Sequence, residues 1–343
     1  MSSKQSHSTP PASLWKASIV LTRIVGKTFK TTKAATGSRS GVARKPPLNA
    51  GQNISKETAD KQKQPKTICS VDFGTTYSGV AVVGSVNCGI SDIEVLQNWI
   101  DGGHRNDYFE KVPSTIAYPE ENPGLAKITF GYEVTAAMKS YTWMKLLLVD
   151  KAGFTDPHLG GKAGHGMLEL PPGKTAPEVV TDYLVCLYNH IMDYLAEGTP
   201  ATMLATRPIE FWITTPACWD DEANKLSQEC AMKAGFGTRA KDRLCMITEP
   251  EAALLANLAT SIDQHEEIYK VRPSQKVLLV LNHCTLLIVT QPGMNVCVCD
   301  IGGGTIDTQS LTILNLSPLK TKEPCVGTGI QHFQDLVRLL TEC

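Results

Sequence analysis

The amino-acid sequence predicts an α/β protein, and three observations support this prediction. Two segments, 68–83 and 298–307, each contain an apolar run, then an Asp, then a turn rich in Gly and Thr. This is the pattern of a strand–turn–strand hairpin. Between them, strand-like apolar runs alternate with segments whose apolar residues recur at helical spacing. The chain has 343 residues, of which 42% are hydrophobic, so it can bury the cores of two domains.

The later of the two hairpins, Val298–Asp307, has the sequence VCDIGGGTID. Three consecutive glycines cost backbone entropy, so they are kept where the chain turns tightly or lies against a ligand. A Thr hydroxyl and backbone N–H groups in such a turn can hold phosphate, and carboxylates on either side can hold Mg²⁺ through its water shell. The alternative is an ordinary hairpin turn whose acids are coincidental.

The earlier hairpin, Ile68–Val83, has the sequence ICSVDFGTTYSGVAVV and repeats the plan of strand, Asp, Gly-Thr turn and strand. A single hairpin of this kind is weak evidence for function. Two in one chain suggest two lobes that close on the same phosphate chain from opposite sides.

The segment after the first hairpin is less regular. Lys111–Tyr118 is predicted to be an edge strand, because a Pro lies near its start. Phe130–Val134 is expected to lead into a helix that runs toward Met144–Leu148. Residues 153–173 are rich in Gly and Pro, which predicts a loop.

The helix that follows is well marked at both ends. Thr175 and Glu178 have the spacing of a capping box, apolar residues then recur at helical intervals, and Gly198 ends the helix. Phe211–Pro216 is then predicted to be a buried strand.

A second helix is predicted to begin after Asp220 and to stop at Gly235. Leu244–Thr248 is a further predicted strand, and Pro250 suits the first turn of a third helix. Glu249 therefore lies between a strand end and a helix N-terminus. A carboxylate at that place can face a cleft, or it can simply cap the helix.

Residues 1–66 form a basic tail. They contain ten Lys and three Arg against only Glu57 and Asp60, a net charge of +11, whereas the whole chain has a formal net charge of −1. This composition is typical both of a disordered tail and of an organelle transit peptide. We expect a disordered tail on a cytoplasmic protein, with mitochondrial import through a basic presequence as the alternative. The tail lacks interleaved aromatic residues, so no nucleic-acid partner is expected.

Two further classes of protein are disfavoured by the sequence. No stretch reaches the ~18 uninterrupted apolar residues of a transmembrane helix, so no membrane span is expected. The eleven cysteines are scattered, without a C-x-x-C pair or histidines at zinc spacing, which favours reduced and mostly buried thiols over disulfides or a zinc site.

Two more motifs lie between the hairpins, Trp212–Trp219 (WITTPACW) and Ile247–Ala253 (ITEPEAA). The four motifs together resemble, in the same order, the nucleotide-binding domain of the heat shock protein 70 family within the actin-like ATPase superfamily. Residues 67–328 can be followed along that domain. Trp219 and Glu251 resemble its divergent fungal-type, A12-like branch.

This resemblance implies a ribonuclease-H-like actin-type ATPase fold, with a first lobe at 67–248 and an incomplete second lobe at 249–343. The sequence departs from the family in an atypical insertion near 274–296, which is either an extra strand pair or translated non-coding sequence. It also ends at Cys343, before the adenosine-binding motif of the family. We therefore expect weak ATP binding, slow hydrolysis and little preference for adenine over guanine.

The resemblance further implies which residues bind ATP and Mg²⁺. Asp72, Asp300 and Asp307 are expected to hold the metal. The phosphate loops are implied to be Gly74, Thr75, Thr76, Tyr77, Gly302, Gly303, Gly304 and Thr305. The implied catalytic residues are Glu249, which would orient the nucleophilic water, Lys145, which would steady the γ-phosphate, and Asp300. The alternative for Lys145 is a solvated lysine on a helix.

These inferences leave two main functional hypotheses. The first is an ATP-binding, chaperone-type stress-response ATPase, whose partners would be nucleotide, co-chaperones and client proteins. The second is a non-hydrolysing nucleotide-binding or interaction module. A sugar kinase of the same superfamily is disfavoured, because the sequence of Thr75–Ser78 argues against it and no acceptor-binding motif is evident.

Overall fold

The structure, a computed structural model, describes residues 65–84, 88, 92–100, 109–149, 167–263, 277–281, 293, 295–301, 306–316, 319–322 and 328–330. The predicted basic tail, 1–66, lies almost wholly outside these residues. Most of the predicted loop at 153–173 and the turn Gly302–Thr305 also lie outside them.

The described residues form a mixed α/β protein, which confirms the predicted class. Its strands are β1 (Thr67–Phe73), β2 (Tyr77–Gly84), β3 (Glu94–Val95), β4 (Lys111–Pro113), β5 (Thr115–Ala117), β6 (Thr129–Phe130), β7 (Ser140–Thr142), β8 (Ile209–Thr215), β9 (Arg243–Thr248), β10 (Val277–Leu281), β11 (Asn295–Ile301), β12 (Ile306–Leu316), β13 (Leu319–Lys322) and β14 (Thr328–Ile330). Its α-helices are α1 (Ala176–Gly198), α2 (Ala201–Thr206), α3 (Asp221–Ala234) and α4 (Glu249–Asp263). Short 3₁₀ helices cover Pro119–Glu121, Gly131–Glu133 and Met144–Leu148.

The largest sheet has the strand order β3-β2-β1-β8-β9, and β4 also pairs with β2. β1 and β2 pair antiparallel through the first predicted hairpin, whereas β1, β8 and β9 run parallel to one another. The strands predicted at Phe211–Pro216 and Leu244–Thr248 are β8 and β9, so both predictions are confirmed.

The main core lies between this sheet and the helices α1 and α3. Successive side chains of a strand point to opposite faces, and those of β1 divide accordingly between two apolar clusters. Cys69, Val71 and Phe73 are buried in a large cluster with residues from α1, α3 and β8. Ile68 belongs to a smaller cluster that also contains Ala81 of β2. Burial of both sets is typical of a central strand.

Local capping signals fix the ends of α1 and α3. The Glu178 Oε2 atom accepts hydrogen bonds from the backbone N–H and the hydroxyl of Thr175, each at 2.7 Å. The Asp220 side chain accepts one from the backbone N–H of Ala223 at 2.8 Å. Gly235 ends α3 with a φ of 118°, a left-handed conformation that favours glycine. Both helices are confirmed as predicted.

The region between β4 and α1 differs from the prediction. The segment 111–118 is not one edge strand, because β4 joins the largest sheet, β5 pairs with β6 and β7 in a separate small sheet, and Ser114 separates the two. The prediction that 130–134 lead into a helix running toward 144–148 is wrong, since the chain there forms β6, β7 and two 3₁₀ helices. Gly131 with φ 63° and Trp143 with φ 61° are left-handed residues that interrupt a regular helical backbone.

The second hairpin lies at the centre of another sheet, with the order β10-β11-β12-β13 and with β14 paired to β12. β11 and β12 pair antiparallel, as predicted, and β10 runs parallel to β11. Within the insertion near 274–296, the described residues provide β10 and the start of β11, and the rest of the insertion, apart from Gly293, lies outside the described residues.

α4 connects the two larger sheets. It begins directly after β9 and packs against β8 and β9 of the largest sheet and against β11 and β12 of the second. Among the residues that the structure describes, no helix is both long enough and apolar enough to cross a membrane.

His190 on α1 is a buried histidine that the sequence did not single out. Its ring stacks on that of Trp99, with 4.9 Å between the ring centroids, and its Nε2 atom has no hydrogen-bond partner among the described residues. Burial lowers the pKa of His190 below its usual value of 6.5, although Asp193 and Glu197 favour the charged form. Protonation of His190 therefore opposes folding.

Replacing His190 by Phe is expected to reduce the loss of stability at acidic pH. The unfolded chain binds a proton at His190 below about pH 6.5, whereas the folded protein resists binding it. The contribution of neutral His190 is therefore present above about pH 6.5 and is lost as the pH falls. Phe keeps a ring against Trp99 and does not titrate. The measurement is the free energy of unfolding in urea from about pH 7 to about pH 5. A difference between the two proteins that is constant with pH would contradict this assignment.

Candidate functional site

The carboxyl ends of three parallel strands, β1, β8 and β9, meet at one edge of the largest sheet. Asp72 lies near the end of β1, Thr214 lies near the end of β8, and Glu249 directly follows β9. Val71 is the register partner of Ile213, so the residues after them share this edge. In open α/β sheets, ligands bind outside the carboxyl ends of the strands.

Both oxygens of the Asp72 carboxylate have partners. Oδ1 accepts a hydrogen bond from the Thr214 hydroxyl at 2.9 Å, and Oδ2 forms an ion pair with the Lys111 ammonium at 3.2 Å. The side chains of Asp72 and Lys111 are 21% and 37% exposed, so solvent reaches this pair. The sequence predicted a role for Asp72 and did not single out Lys111 or Thr214.

Lys145 is almost fully buried and lies beside Glu249. Its side chain is 2% exposed, pairs with the Glu249 carboxylate and donates a hydrogen bond to the Phe73 carbonyl oxygen at 2.6 Å. The ammonium also faces the rings of Phe73 and Trp219, at 5.6 Å from each centroid. The alternative of a solvated helix lysine is therefore wrong. The Glu249 carboxylate likewise does more than cap α4, because it pairs with a residue 104 positions away in sequence.

Ser114 holds the turn between β1 and β2. Its hydroxyl donates to the Gly74 carbonyl oxygen at 2.8 Å, and its backbone N–H donates to the Thr76 carbonyl oxygen at 2.8 Å. Ser78 Oγ lies 2.9 Å from Ser114 Oγ and donates to it, since the proton of Ser114 is already used. The sequence missed this role, because it depends on the register of β4 against β2.

Gly74 is required by the shape of this turn. A Cβ atom added at Gly74 would lie 2.2 Å from the Tyr77 carbonyl oxygen, far inside a normal contact. Within the same turn, Thr75 is buried, whereas Tyr77 is 48% exposed. The turn is therefore tight, and its backbone rather than its side chains determines its form.

The second hairpin has the same backbone register as the first. In the first hairpin Phe73 pairs with Ser78, and in the second Ile301 pairs with Ile306, so four residues lie between the closing pair in each case. β14 pairs with the start of β12 in the way that β4 pairs with the start of β2. The repeated plan that the sequence predicts is thus present in the backbone.

Asp300 and Asp307 lie directly opposite each other in the β11–β12 register. Their side chains and the turn Gly302–Thr305 are outside the part of the chain that the structure describes. Among the side chains that it does describe, no group of three or more His, Cys, Asp or Glu could hold a metal ion. The three-acid metal site that includes Asp72 therefore stays a prediction.

Thr248 joins the edge of the largest sheet to the second hairpin. Its hydroxyl donates to the Gln309 Oε1 atom on β12 at 3.0 Å, and its oxygen accepts a hydrogen bond from the Glu251 backbone N–H at 3.4 Å. Because Thr248 directly precedes Glu249, this contact holds the start of α4 against the outgoing strand of the second hairpin.

The cysteines whose side chains the structure describes are free thiols, namely Cys69, Cys88, Cys186, Cys218, Cys230 and Cys245. Burial raises the pKa of the Cys69 thiol strongly and that of Cys186 to about 11. Thiols with a raised pKa stay protonated at neutral pH and are poor nucleophiles. Cys69 and Cys186 are therefore poor candidates for cysteine chemistry.

Comparisons with known proteins do not assign a family. No protein-family model matches the chain. No curated protein matches it either. The resemblance to the heat shock protein 70 family therefore rests on the four sequence motifs.

Replacing Gly74 by Ala is expected to destabilise the protein by about 1–3 kcal/mol, because the added methyl group meets backbone atoms that cannot move aside. Gly198 is the matched control, since no atom lies within 4 Å of its Cβ position. Gly198→Ala is expected to stay within about 0.5 kcal/mol of the parent protein. Urea unfolding measures both, and equal effects at the two glycines would show that the turn is not tight.

Replacing only one member of the Lys145–Glu249 pair is expected to lower the stability of the fold more than the pair itself contributes, because the remaining charge is left buried without its partner. Lys145→Met takes the buried ammonium away from Glu249, and Glu249→Gln takes the carboxylate away from the ammonium, so each is expected to cost about 3–5 kcal/mol. The double variant is expected to lose clearly less stability than the sum of the two. Urea unfolding of the three variants gives the coupling energy, and additive losses would show that the side chains act independently.

Proposed function

We propose that this edge of the largest sheet binds the phosphate groups of a nucleoside triphosphate. The observation that carries the proposal is the meeting, around one turn, of Asp72, Lys111 and the buried Lys145–Glu249 pair. Ser114 fixes the turn itself. Phosphoryl transfer asks mainly for positioning of the phosphates and neutralisation of their charge, and this edge combines a fixed turn with two cations.

Lys145 and Glu249 would share the hydrolytic step. A buried ammonium attracts phosphate oxygens more strongly than a solvated one, because little water screens it. A phosphate that draws Lys145 away from Glu249 leaves the carboxylate able to accept a hydrogen bond from a water molecule and to orient it. Phosphate binding would thus free the Glu249 carboxylate, the base, from its ion pair with Lys145.

Asp72 is suited to the expected Mg²⁺, because Mg²⁺ is usually held by one or two carboxylates together with substrate phosphates and water. A bound Mg²⁺ would supply further neutralisation of the phosphate charge. Asp72 would hold the ion through its partly exposed carboxylate, whose orientation Thr214 fixes. The roles expected for Asp300 and Asp307 belong to the same proposal.

The broader proposal is a heat-shock-protein-70-like ATPase domain with a ribonuclease-H-like actin-type fold. The combination of antiparallel β1, β2 and β3 with parallel β8 and β9 is compatible with that fold, as is the recurrence of the hairpin plan in β11 and β12. A chaperone-type role in the stress response, with co-chaperones or clients as partners, rests on the sequence resemblance alone.

Nucleotide binding without hydrolysis is the second candidate function. The direct ion pair between Lys145 and Glu249 favours it, because a carboxylate that stays paired with a buried ammonium is a poor base. The site would then bind phosphates and would not turn them over.

Titration of ATP into the purified chain, followed by single-turnover hydrolysis, tests both candidates. The parent protein is expected to bind ATP, and Glu249→Gln is expected to keep binding while hydrolysis falls about a hundredfold or more. Glu222 is an exposed glutamate in the first turn of α3, so Glu222→Gln is the matched control and should change neither quantity.

The three outcomes point to different conclusions. A parent protein that does not bind ATP would contradict the proposed function. Binding without hydrolysis would select the second candidate. Hydrolysis that Glu249→Gln leaves unchanged would remove Glu249 from the mechanism.

A further inference from the structure

Three positions of the largest sheet lie side by side across neighbouring strands. Asp72 on β1 is directly opposite Gly79 on β2, and Gly79 is directly opposite Lys111 on β4. Residues that lie opposite each other in a sheet have their side chains on the same face. Gly79 has no side chain, so the Lys111 side chain extends across it and brings Nζ to 3.2 Å from Asp72 Oδ2.

The backbone of Lys111 is held in place, while the end of its side chain reaches solvent. β4 pairs with β2, and the Lys111 carbonyl oxygen accepts a hydrogen bond from the Tyr132 hydroxyl at 3.0 Å. The side chain of Lys111 is 37% exposed. The ammonium can therefore move between neighbouring oxygen atoms without any shift of the strand.

The corresponding positions of the second hairpin carry different residues. Asp300 is directly opposite Asp307, and Asp307 is directly opposite Gly329. The first hairpin thus has one acid, one glycine and one lysine across its strands, whereas the second has two acids and one glycine. The two hairpins share a backbone plan, but of these two sets of three opposed residues only the set in the first hairpin contains a cation.

We propose that Lys111 is a built-in cation of the first phosphate loop, which binds the phosphate chain directly and allows nucleotide to bind without a divalent metal. This inference rests on the proposed function of the same site. The Asp72–Lys111 ion pair is partly exposed, and such pairs contribute little to stability, so a phosphate can replace the carboxylate at low cost. A triphosphate carries more negative charge than a carboxylate, which favours this exchange.

Lys111 also changes what a metal ion can contribute at Asp72. Its ammonium already lies on one carboxylate oxygen, Oδ2, and the Thr214 hydroxyl donates to the other, Oδ1. A metal at Asp72 would have to displace Lys111 or share the oxygen with it. Mg²⁺ should therefore strengthen nucleotide binding less in the parent protein than in a variant without the lysine charge.

The test is ATP binding to the full chain, measured by calorimetry in Mg²⁺ and again in excess EDTA. The parent protein is expected to lose less than about tenfold in affinity when Mg²⁺ is removed, whereas Lys111→Met is expected to lose about a hundredfold, because a charge-assisted contact is gone. Lys111→Arg keeps the charge and is expected to resemble the parent protein. Lys127→Met is the matched control, since Lys127 is 72% exposed and pairs with Glu133 instead.

A second variant tests the same inference through an expected gain, rather than a loss, of ATP affinity. Asp72→Asn removes the carboxylate that competes with phosphate for Lys111. In EDTA, Asp72→Asn is therefore expected to bind ATP more tightly than the parent protein. Relief of the repulsion between carboxylate and phosphate also contributes, so the same substitution is made in Lys111→Met, where the gain is expected to be smaller. An equal gain in both backgrounds would show that Lys111 does not bind the phosphate.

Each outcome decides the matter. A parent protein that binds ATP in Mg²⁺ and loses all binding in EDTA overturns the role of Lys111 and leaves the proposed function standing. Equal affinity of the parent protein and Lys111→Met in EDTA overturns it as well. No ATP binding in either buffer overturns the proposed function and this inference together. The comparison of buffers on the parent protein needs no variant, so misfolding of Lys111→Met does not remove the test.

Discussion

The ammonium group of Lys145 is buried, and a buried charge is costly unless partners surround it. Those partners come from separate segments of the chain: the Phe73 carbonyl at the end of β1, the Glu249 carboxylate at the start of α4, and the Trp219 ring shortly before α3. The fold has to bring these segments together to stabilise one charge. In doing so it fixes the position of Glu249 relative to the turn of the first hairpin, which is the geometry that phosphate chemistry would use.

Ser114 gives a second case in which a feature of the fold and a feature of the site have the same cause. Tyr77 pairs with Pro113 at the end of β4, and the backbone N–H of Ser114 continues that register by donating to the Thr76 carbonyl oxygen. Its hydroxyl donates to the Gly74 carbonyl oxygen. Ser114 therefore lies where the chain passes from β4 in the largest sheet to β5 in the small sheet, and from there it holds the candidate phosphate loop.

The elements that the sequence predicted correctly carry their signals locally. The capping residue Asp220 and the terminating Gly235 define α3 without reference to the rest of the chain. The helix expected to run toward 144–148 is wrong because Trp143 has a left-handed conformation, which is uncommon for a residue other than glycine and which no local sequence pattern predicts.

The same distinction applies to the site. Asp72 and Glu249 belong to sequence motifs, so their place in the candidate site could be predicted from the sequence. Lys111 and Thr214 act through the register of β4 and β8 against their neighbours, and strand register is a property of the folded sheet. The alternation of side chains in a strand assigns Lys111 to one face of β4, but only the pairing through Gly79 shows that this face is shared with Asp72.

The segment that departs from the family pattern has a structural role that follows from the same pairing rules. Beside β1, the sheet continues through β8, a parallel strand that comes after the first hairpin in sequence. Beside β11, the corresponding place is taken by β10, which is also parallel but comes before its hairpin, with Leu281 opposite Asp300. A strand edge presents N–H and C=O groups that need partners, and either an earlier or a later segment can supply them. β10 therefore covers the edge of the strand that carries Asp300.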